Sequence, residues 1–161
     1  LAIANKSIRI DPRSVDPKVK NFHWADMTKG LFEAYEQGAT TVILPNADGF
    51  ITEGPGFNIF ALVNGMLWTP ESGVLEGITR KTVIELAENE EIPTKVTMFG
   101  RKVLKQAEEI FITSTAGGIM PVSTLDDSPV GNGIPGPVFH LIHQKYWKAH
   151  EKNEYTESVL Y

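Results

Sequence analysis

The sequence predicts one mixed α/β domain, and three observations carry that prediction. Short apolar runs bounded by Gly, Pro, Asn and Asp recur along the chain and read as strands. Three longer stretches, 26–38, 78–91 and 137–152, carry apolar residues at helical spacing. The two kinds of segment alternate with neither a solenoid period nor a low-complexity tract.

Taken in order, LAIANKSIRI reads as an apolar-polar strand already under way, with Ile8 and Ile10 alternating against Arg9. Leu1 is no initiator methionine, which raises the expectation of further sequence upstream. Asp26 is placed to cap a helix carrying Met27, Leu31, Ala34 and Tyr35 on one side, with Gly38 as its stop. TVILP is a short strand, NADG a turn and FITE a second strand. FNIFALV, Asn64-Gly65 and MLWT form a tight hairpin whose first arm, apolar on both faces, belongs at the centre of a sheet. From Ile78 to about Glu91, Val83, Leu86 and Ala87 oppose Lys81, Glu85 and Glu88 on an amphipathic helix ended by Pro93. KVTMF and EEIFITST are strands separated by a short helix near Val103–Ala107, and IMPVSTLDDSPVG is a further strand and turn. A last helix from about Pro137 to Lys152 offers Phe139, Leu141, Ile142 and Tyr146 for packing, before a polar tail.

Composition narrows the function classes. With 161 residues, 42% hydrophobic and 22% charged, the chain suits one globular domain with a substantial core. A net charge of -5 supplies no basic field for nucleic acid, and no apolar run reaches the length of a membrane span. There is no cysteine, hence no disulfide or thiolate metal site, and the N-terminus lacks the order of a signal peptide. A cytoplasmic location is expected.

Four stretches carry candidate chemistry. In VKNFHWADMTKG, Lys20 leaves a proline-stiffened segment, and Val19, Phe22 and Trp24 could favour its neutral, nucleophilic amine; a solvated cation is the alternative. In ITEGPGFN, Glu53 ends an apolar run before glycines that allow close approach of a ligand. If buried, it needs a cationic or hydrogen-bonding partner such as a protonated heterocycle nitrogen; otherwise it is a solvated loop carboxylate. In GVLEGITRK, Gly77 leads into a helix whose first turn presents the amides of Ile78 and Thr79 to an anion. Arg80 and Lys81 oppose the helix dipole there unless an anion is bound or they point away. In TSTAGGIMP, a strand ends in three hydroxyl residues and a glycine pair able to form an anion-binding concavity. His140, His143 and His150 on the last helix read as surface or packing histidines, His23 as a pocket wall, and Trp24 as pocket or core.

Together and in this order, VKNFHWADM, ITEGPGFNIF, GVLEGITRK and ITSTAGGIMP resemble the fold-type IV pyridoxal-phosphate enzymes, over about Ile10 to Gln144. That family includes branched-chain aminotransferases, D-amino acid aminotransferases, (R)-selective amine transaminases and aminodeoxychorismate lyase. VKNFHWAD, EGPGFN and TAGGIMP look most like the (R)-amine transaminases. Their usual strings have glutamine, glycine and serine where His23, Ala25 and Pro55 stand.

The resemblance implies the C-terminal large domain of this fold, a mixed sheet or pseudo-barrel with flanking helices. Residues 1–10 would be an interdomain strand, 11–161 the domain that binds pyridoxal 5'-phosphate, and a smaller N-terminal domain would be absent from this chain. It implies that Lys20 forms a Schiff base with the cofactor aldehyde, that Glu53 pairs with the pyridine nitrogen and that Leu75 lies against the ring. Ile78, Thr79, Ser114 and Thr115 would hold the phosphate, and Ala116 and Trp24 would face the substrate. The implied function is transfer of an amino group from an (R)-amine or amino acid donor to a keto acid such as pyruvate, in a homodimer with a shared site. D-amino acid or branched-chain aminotransferase activity, or a lyase on the same scaffold, are the alternatives. A non-catalytic phosphate-binding or subunit-interaction module ranks after them.

Overall fold

The computed structural model describes residues 1–152 and 155–159. Its centre is a five-stranded sheet in the order β5-β4-β3-β6-β7. In chain order these strands are β3 (Asn58–Val63), β4 (Met66–Thr69), β5 (Thr94–Val96), β6 (Glu109–Ser114) and β7 (Gly118–Val122). Within this sheet the β4/β5 pair is parallel and the other three pairs are antiparallel. Strand β3 occupies the centre with all six residues buried, as its continuous apolar run requires. Its side chains divide by pleat: Ile59, Ala61 and Val63 enter one core and Phe60 the other. Asn64 and Gly65 both take positive φ, 50° and 72°, which gives the two-residue turn the twist a hairpin needs.

Helices α2 (Ile78–Asn89) and α4 (Pro137–Ala149) cover the Phe60 face. Val83, Leu86, Ala87, Phe139, Ile142 and Tyr146 pack on Phe60 and Phe111, whose rings stack at 5.3 Å. Helix α4 is seated by Glu109, whose carboxylate accepts the Val138 and Phe139 amides at 3.0 and 2.7 Å. The opposite face packs against Ile3, Ile43, Ile51, Phe99 and Leu104; Leu104 belongs to the short helix α3 (Arg101–Lys105). Strands β1 (Ala2–Ile3) and β2 (Val42–Ile43) pair in parallel, and α1 (Ala25–Glu36) lies on them through Ala34. A small ribbon, β8 (Thr124–Leu125) with β9 (Ser128–Pro129), follows β7 and receives the chain start: the Leu1 amine donates to the Thr124 carbonyl.

Several elements differ from expectation for physical reasons. LAIANKSIRI is a strand only at Ala2–Ile3, and its end is inverted: Ile8 is 50% exposed whereas Arg9 is buried between two carboxylates. Asp26 lies inside the first turn of α1, after Trp24 at the cap, because its carboxylate is taken by Arg9 and the Ile10 amide. Tyr35 is exposed, and the buried side of α1 carries Glu33 instead. FITE makes single bridges rather than a strand, with the Ile51 amide donating to Phe99. The KVTMF strand runs over Thr94–Val96, α3 begins at Arg101, and α4 ends at Ala149. The expected polar tail lies partly outside the described residues.

Candidate active site

A cleft of about 230 Å³ opens where the start of β3 meets the end of β6, at the Asn58/Thr113 pair. The nine residues to which the resemblance gives cofactor or substrate roles all line it. Lys20 and Trp24 come from the extended segment before α1; Glu53 comes from the stretch before β3. Leu75, Ile78 and Thr79 come from the entry to α2, and Ser114, Thr115 and Ala116 from the end of β6.

Lys20 is held by turns on both sides. Asp16 accepts the amides of Lys18 and Val19, while Asn21 donates to the Val19 carbonyl and accepts the His23 amide. The neighbouring cation, Lys18, points to Glu76 at 2.7 Å, which holds its amine protonated above the ordinary lysine range. The apolar surroundings expected for Lys20 form only in part: Val19 and Trp24 line the cleft with it but are 62% and 43% exposed, and Phe22 projects completely into solvent. His23 is exposed and outside the cleft lining.

Glu53 is buried, and both of its carboxylate oxygens accept hydrogen bonds. Its Oε1 accepts from Arg9 Nε and Nη2 at 3.3 and 3.1 Å, and its Oε2 accepts the Leu75 amide at 2.7 Å. Burial pushes its carboxyl above the usual glutamate range, against the downward pull of the Leu75 hydrogen bond and the Arg9 charge. Arg9 was legible in the sequence only as the polar phase of an alternation.

The start of α2 has Gly77 at its cap and no side-chain capping bond, so the Ile78 and Thr79 amides point outward without an acceptor from the cap residue. Gly77 is there because a Cβ would strike the Asn58 amide oxygen. Asn58 donates to the Leu75 carbonyl at 2.9 Å, fixing the loop that enters the helix. Arg80 does not serve an anion in this cleft: it turns back into the fold, donating to the Thr69 hydroxyl and the Pro70 carbonyl. That arrangement removes one of the two cations from the helix end, and Lys81 is exposed beside Glu85.

At the end of β6, the Ser114 hydroxyl accepts the Gly117 amide at 2.9 Å. Thr113, between Ile112 and Ser114, is buried with no partner for its hydroxyl among the described residues, and it lines the cleft. A buried hydroxyl left unpaired is costly and marks a place for a ligand acceptor. Thr113 and Asn58 were not singled out beforehand, because only the β3/β6 register brings them together. Elsewhere, His143 accepts the Trp147 indole N–H and His150 lies against the Tyr146 carbonyl on α4. No cluster of metal-ligating side chains occurs among the described residues, and no helix among them is long and apolar enough to cross a membrane.

The cleft thus combines a primary amine, a buried carboxylate, an uncapped helix start and hydroxyls. This set fits a small molecule bearing a carbonyl, a protonated ring nitrogen and an anionic group.

Known proteins match the same region. The branched-chain-amino-acid aminotransferase of Escherichia coli K12 is 38% identical over 117 residues, 71% of this chain and 38% of that protein. The crystal structure of the branched-chain amino acid aminotransferase from Thermobaculum terrenum in its PLP form superposes with a TM-score of 0.89 at 29% identity. That superposition covers 96% of this chain and 52% of the other. The branched-chain aminotransferase from the thermophilic archaeon Thermoproteus uzoniensis, crystallised with norvaline, gives 0.87 at 31% identity, covering 96% and 52%. The chain spans about two fifths of the length of the curated relatives it matches. The amino-transferase class IV family profile matches residues 2–125, well over half of the sequence, and on that match the chain belongs to the class IV aminotransferase family.

Proposed function

We propose that this chain carries the cofactor-binding and catalytic residues of a pyridoxal-phosphate-dependent aminotransferase that takes branched-chain amino acids as donors and a keto acid as acceptor. The carrying observation is the convergence of Lys20, Glu53 and the uncapped start of α2 on one cleft. The donor class is supported by the similarity to branched-chain aminotransferases in sequence and in fold. When bound, pyridoxal phosphate supplies a ring that accepts electrons from the substrate's amine-bearing carbon. Lys20 Nζ would hold the group covalently through its aldehyde, with water as the leaving group, and once displaced by the substrate amine would serve as the base that takes and returns the proton of the substrate's amine-bearing carbon. Glu53 would face the ring nitrogen and favour its protonated form, and Leu75 would lie against the ring. The Ile78 and Thr79 amides, with the hydroxyls of Thr79, Ser114 and Thr115, would hold the phosphate. Ala116 and Trp24 border the substrate.

A second reading, an (R)-selective amine transaminase, is favoured by the strings VKNFHWAD and TAGGIMP. Rates with L-leucine, D-alanine and (R)-1-phenylethylamine against pyruvate and 2-oxoglutarate separate the two. L-leucine is expected to lead, and a dominant (R)-1-phenylethylamine rate moves the assignment to the second reading. Release of pyruvate without a keto-acid acceptor would instead indicate a lyase. Borohydride reduction in the presence of pyridoxal phosphate, followed by peptide mapping, is expected to leave the pyridoxyl mass on Lys20; a label on Lys18 or Lys29 overturns its role. The homodimer with a shared site is part of the same proposal, and a monomer mass by sedimentation of the full-length protein would remove it.

A further inference from the structure

The least expected feature of the cleft wall is a buried cation held between two carboxylates. Arg9 gives two N–H groups, Nε and Nη2, to one oxygen of Glu53 at 3.3 and 3.1 Å. Its third, Nη1, goes to Asp26 Oδ2 at 2.6 Å. The side chains of Arg9 and Glu53 are 5% and 6% exposed, and that of Asp26 14%. Asp26 is itself anchored from outside the cleft, since Oδ2 also accepts the Ile10 amide at 2.7 Å and Oδ1 the Met27 amide at 2.9 Å. The second oxygen of Glu53 is fixed by the Leu75 amide. Donors on Arg9, Ile10, Met27 and Leu75 therefore orient the two carboxylates around one guanidinium, whose planar fork suits that bridging.

We propose that Arg9 is a positioning residue for Glu53, holding it in its ionised form and in one orientation toward the cleft, and that Asp26 sets the strength of that hold. Two carboxylates share one guanidinium, so the triad carries one net negative charge in a place shielded from water. Such a site favours a proton or a cationic ligand group. Arg9 limits the first outcome and Asp26 promotes it, because each opposes the other's field at Glu53. Among the described residues, Arg80 from α2 also acts on this carboxylate in the same direction as Arg9, and Lys20 lines the same cleft. Arg9 thus draws Glu53 toward the ionised acceptor that a protonated nitrogen needs, against the burial that pushes its carboxyl up. The link to catalysis rests on the aminotransferase reading of the cleft; the electrostatic relation among the three side chains does not.

The test is the titration of the Glu53 carboxyl carbon by 13C NMR in the cofactor-free, full-length protein, with the resonance assigned by its loss in Glu53→Gln. Arg9→Met is expected to raise the midpoint by about one pH unit or more, and Asp26→Asn to lower it. Arg9→Lys, which keeps the charge but loses the fork, is expected to fall between Arg9→Met and the parent. An amide fingerprint spectrum checks the fold, and if Arg9→Met does not fold, Arg9→Lys and Asp26→Asn still give opposite shifts. Midpoints that do not move, or that move in the same direction in both classes of variant, overturn the proposal. A second readout is the dissociation constant of pyridoxal phosphate, expected to rise about tenfold in Arg9→Met; an unchanged constant together with a shifted titration overturns the link to the cofactor. Failure of the aminotransferase reading is recognised separately, by the absence of a pyridoxyl label on Lys20 while the Glu53 titration still responds to Arg9.

Discussion

Glu53 and Thr79 carry separable duties in the proposed site, and substitution should separate them. Glu53→Gln preserves shape but cannot keep a ring nitrogen protonated, so turnover is expected to fall about 100-fold or more while cofactor affinity changes less. Parental turnover in that variant would mean that the carboxylate has another task. Thr79→Ala removes a hydroxyl from the start of α2 and leaves Glu53 in place, so the main effect expected is on affinity. Loss of a hydrogen bond to a charged group, about 1.5–3 kcal/mol, corresponds to at least a tenfold rise in the cofactor dissociation constant by equilibrium dialysis. At this scale the neighbours of Lys20 and Glu53 left a solvated charge open for each, and it was the four strings taken together that pointed to the cleft both residues line. The sequence was silent on Arg9, whose partners lie 17 and 44 residues away. An arginine at the polar phase of an alternation gives no local sign that it will be buried.

Among the elements, the β3–β4 hairpin was the most legible because its determinants are adjacent: an apolar run, Asn64-Gly65 and a second run. The chain start was read least well, because its conformation is dictated by a carboxylate on α1. Glu33 accepts the amides of Asn5 and Lys6 on Oε1, at 2.5 and 3.0 Å, and that of Ser7 on Oε2 at 3.0 Å. Bonds from a side chain take the place of a strand ladder there, so the alternation of Ile8 and Ile10 has no sheet to obey. Burial pushes the Glu33 carboxyl up, but these hydrogen bonds outweigh it and leave the group below its ordinary value. A carboxyl depressed in the folded state stabilises fully above its unfolded value, about 4.3, and that contribution is lost as pH falls through the folded value. Glu33→Gln is therefore expected to lower stability by about 1–3 kcal/mol at pH 7 in denaturant unfolding, and the deficit should shrink in acid. A deficit that stays constant down to about pH 3, below the unfolded value, would show that the charge is immaterial.

For the molecule as a whole, the four strings that suggested the family are separated in sequence and meet at one end of the sheet, and this convergence is what makes their joint occurrence informative. The α/β class and the order of elements followed from local patterns; the parallel β1/β2 pair and the second core did not, since both depend on contacts across the chain. Exposed Val19 and Ile78 line the cleft, and exposed Phe22 follows on the same segment as Val19; these are apolar side chains of the kind that a neighbouring subunit or domain covers in the proposed assembly. One backbone unit links the two chemistries of this cleft. Leu75 offers its N–H to Glu53 and its carbonyl to both Asn58 and the Gly77 amide, immediately before α2 begins. The acid and the helix start are thus the two jaws of a caliper with Leu75 as its rivet, and the opening between them is set before any ligand arrives. A caliper measures length: a pyridoxal analogue whose phosphate arm is one methylene longer can engage one jaw or the other but not both, and should bind at least about tenfold more weakly than pyridoxal phosphate in the same dialysis experiment.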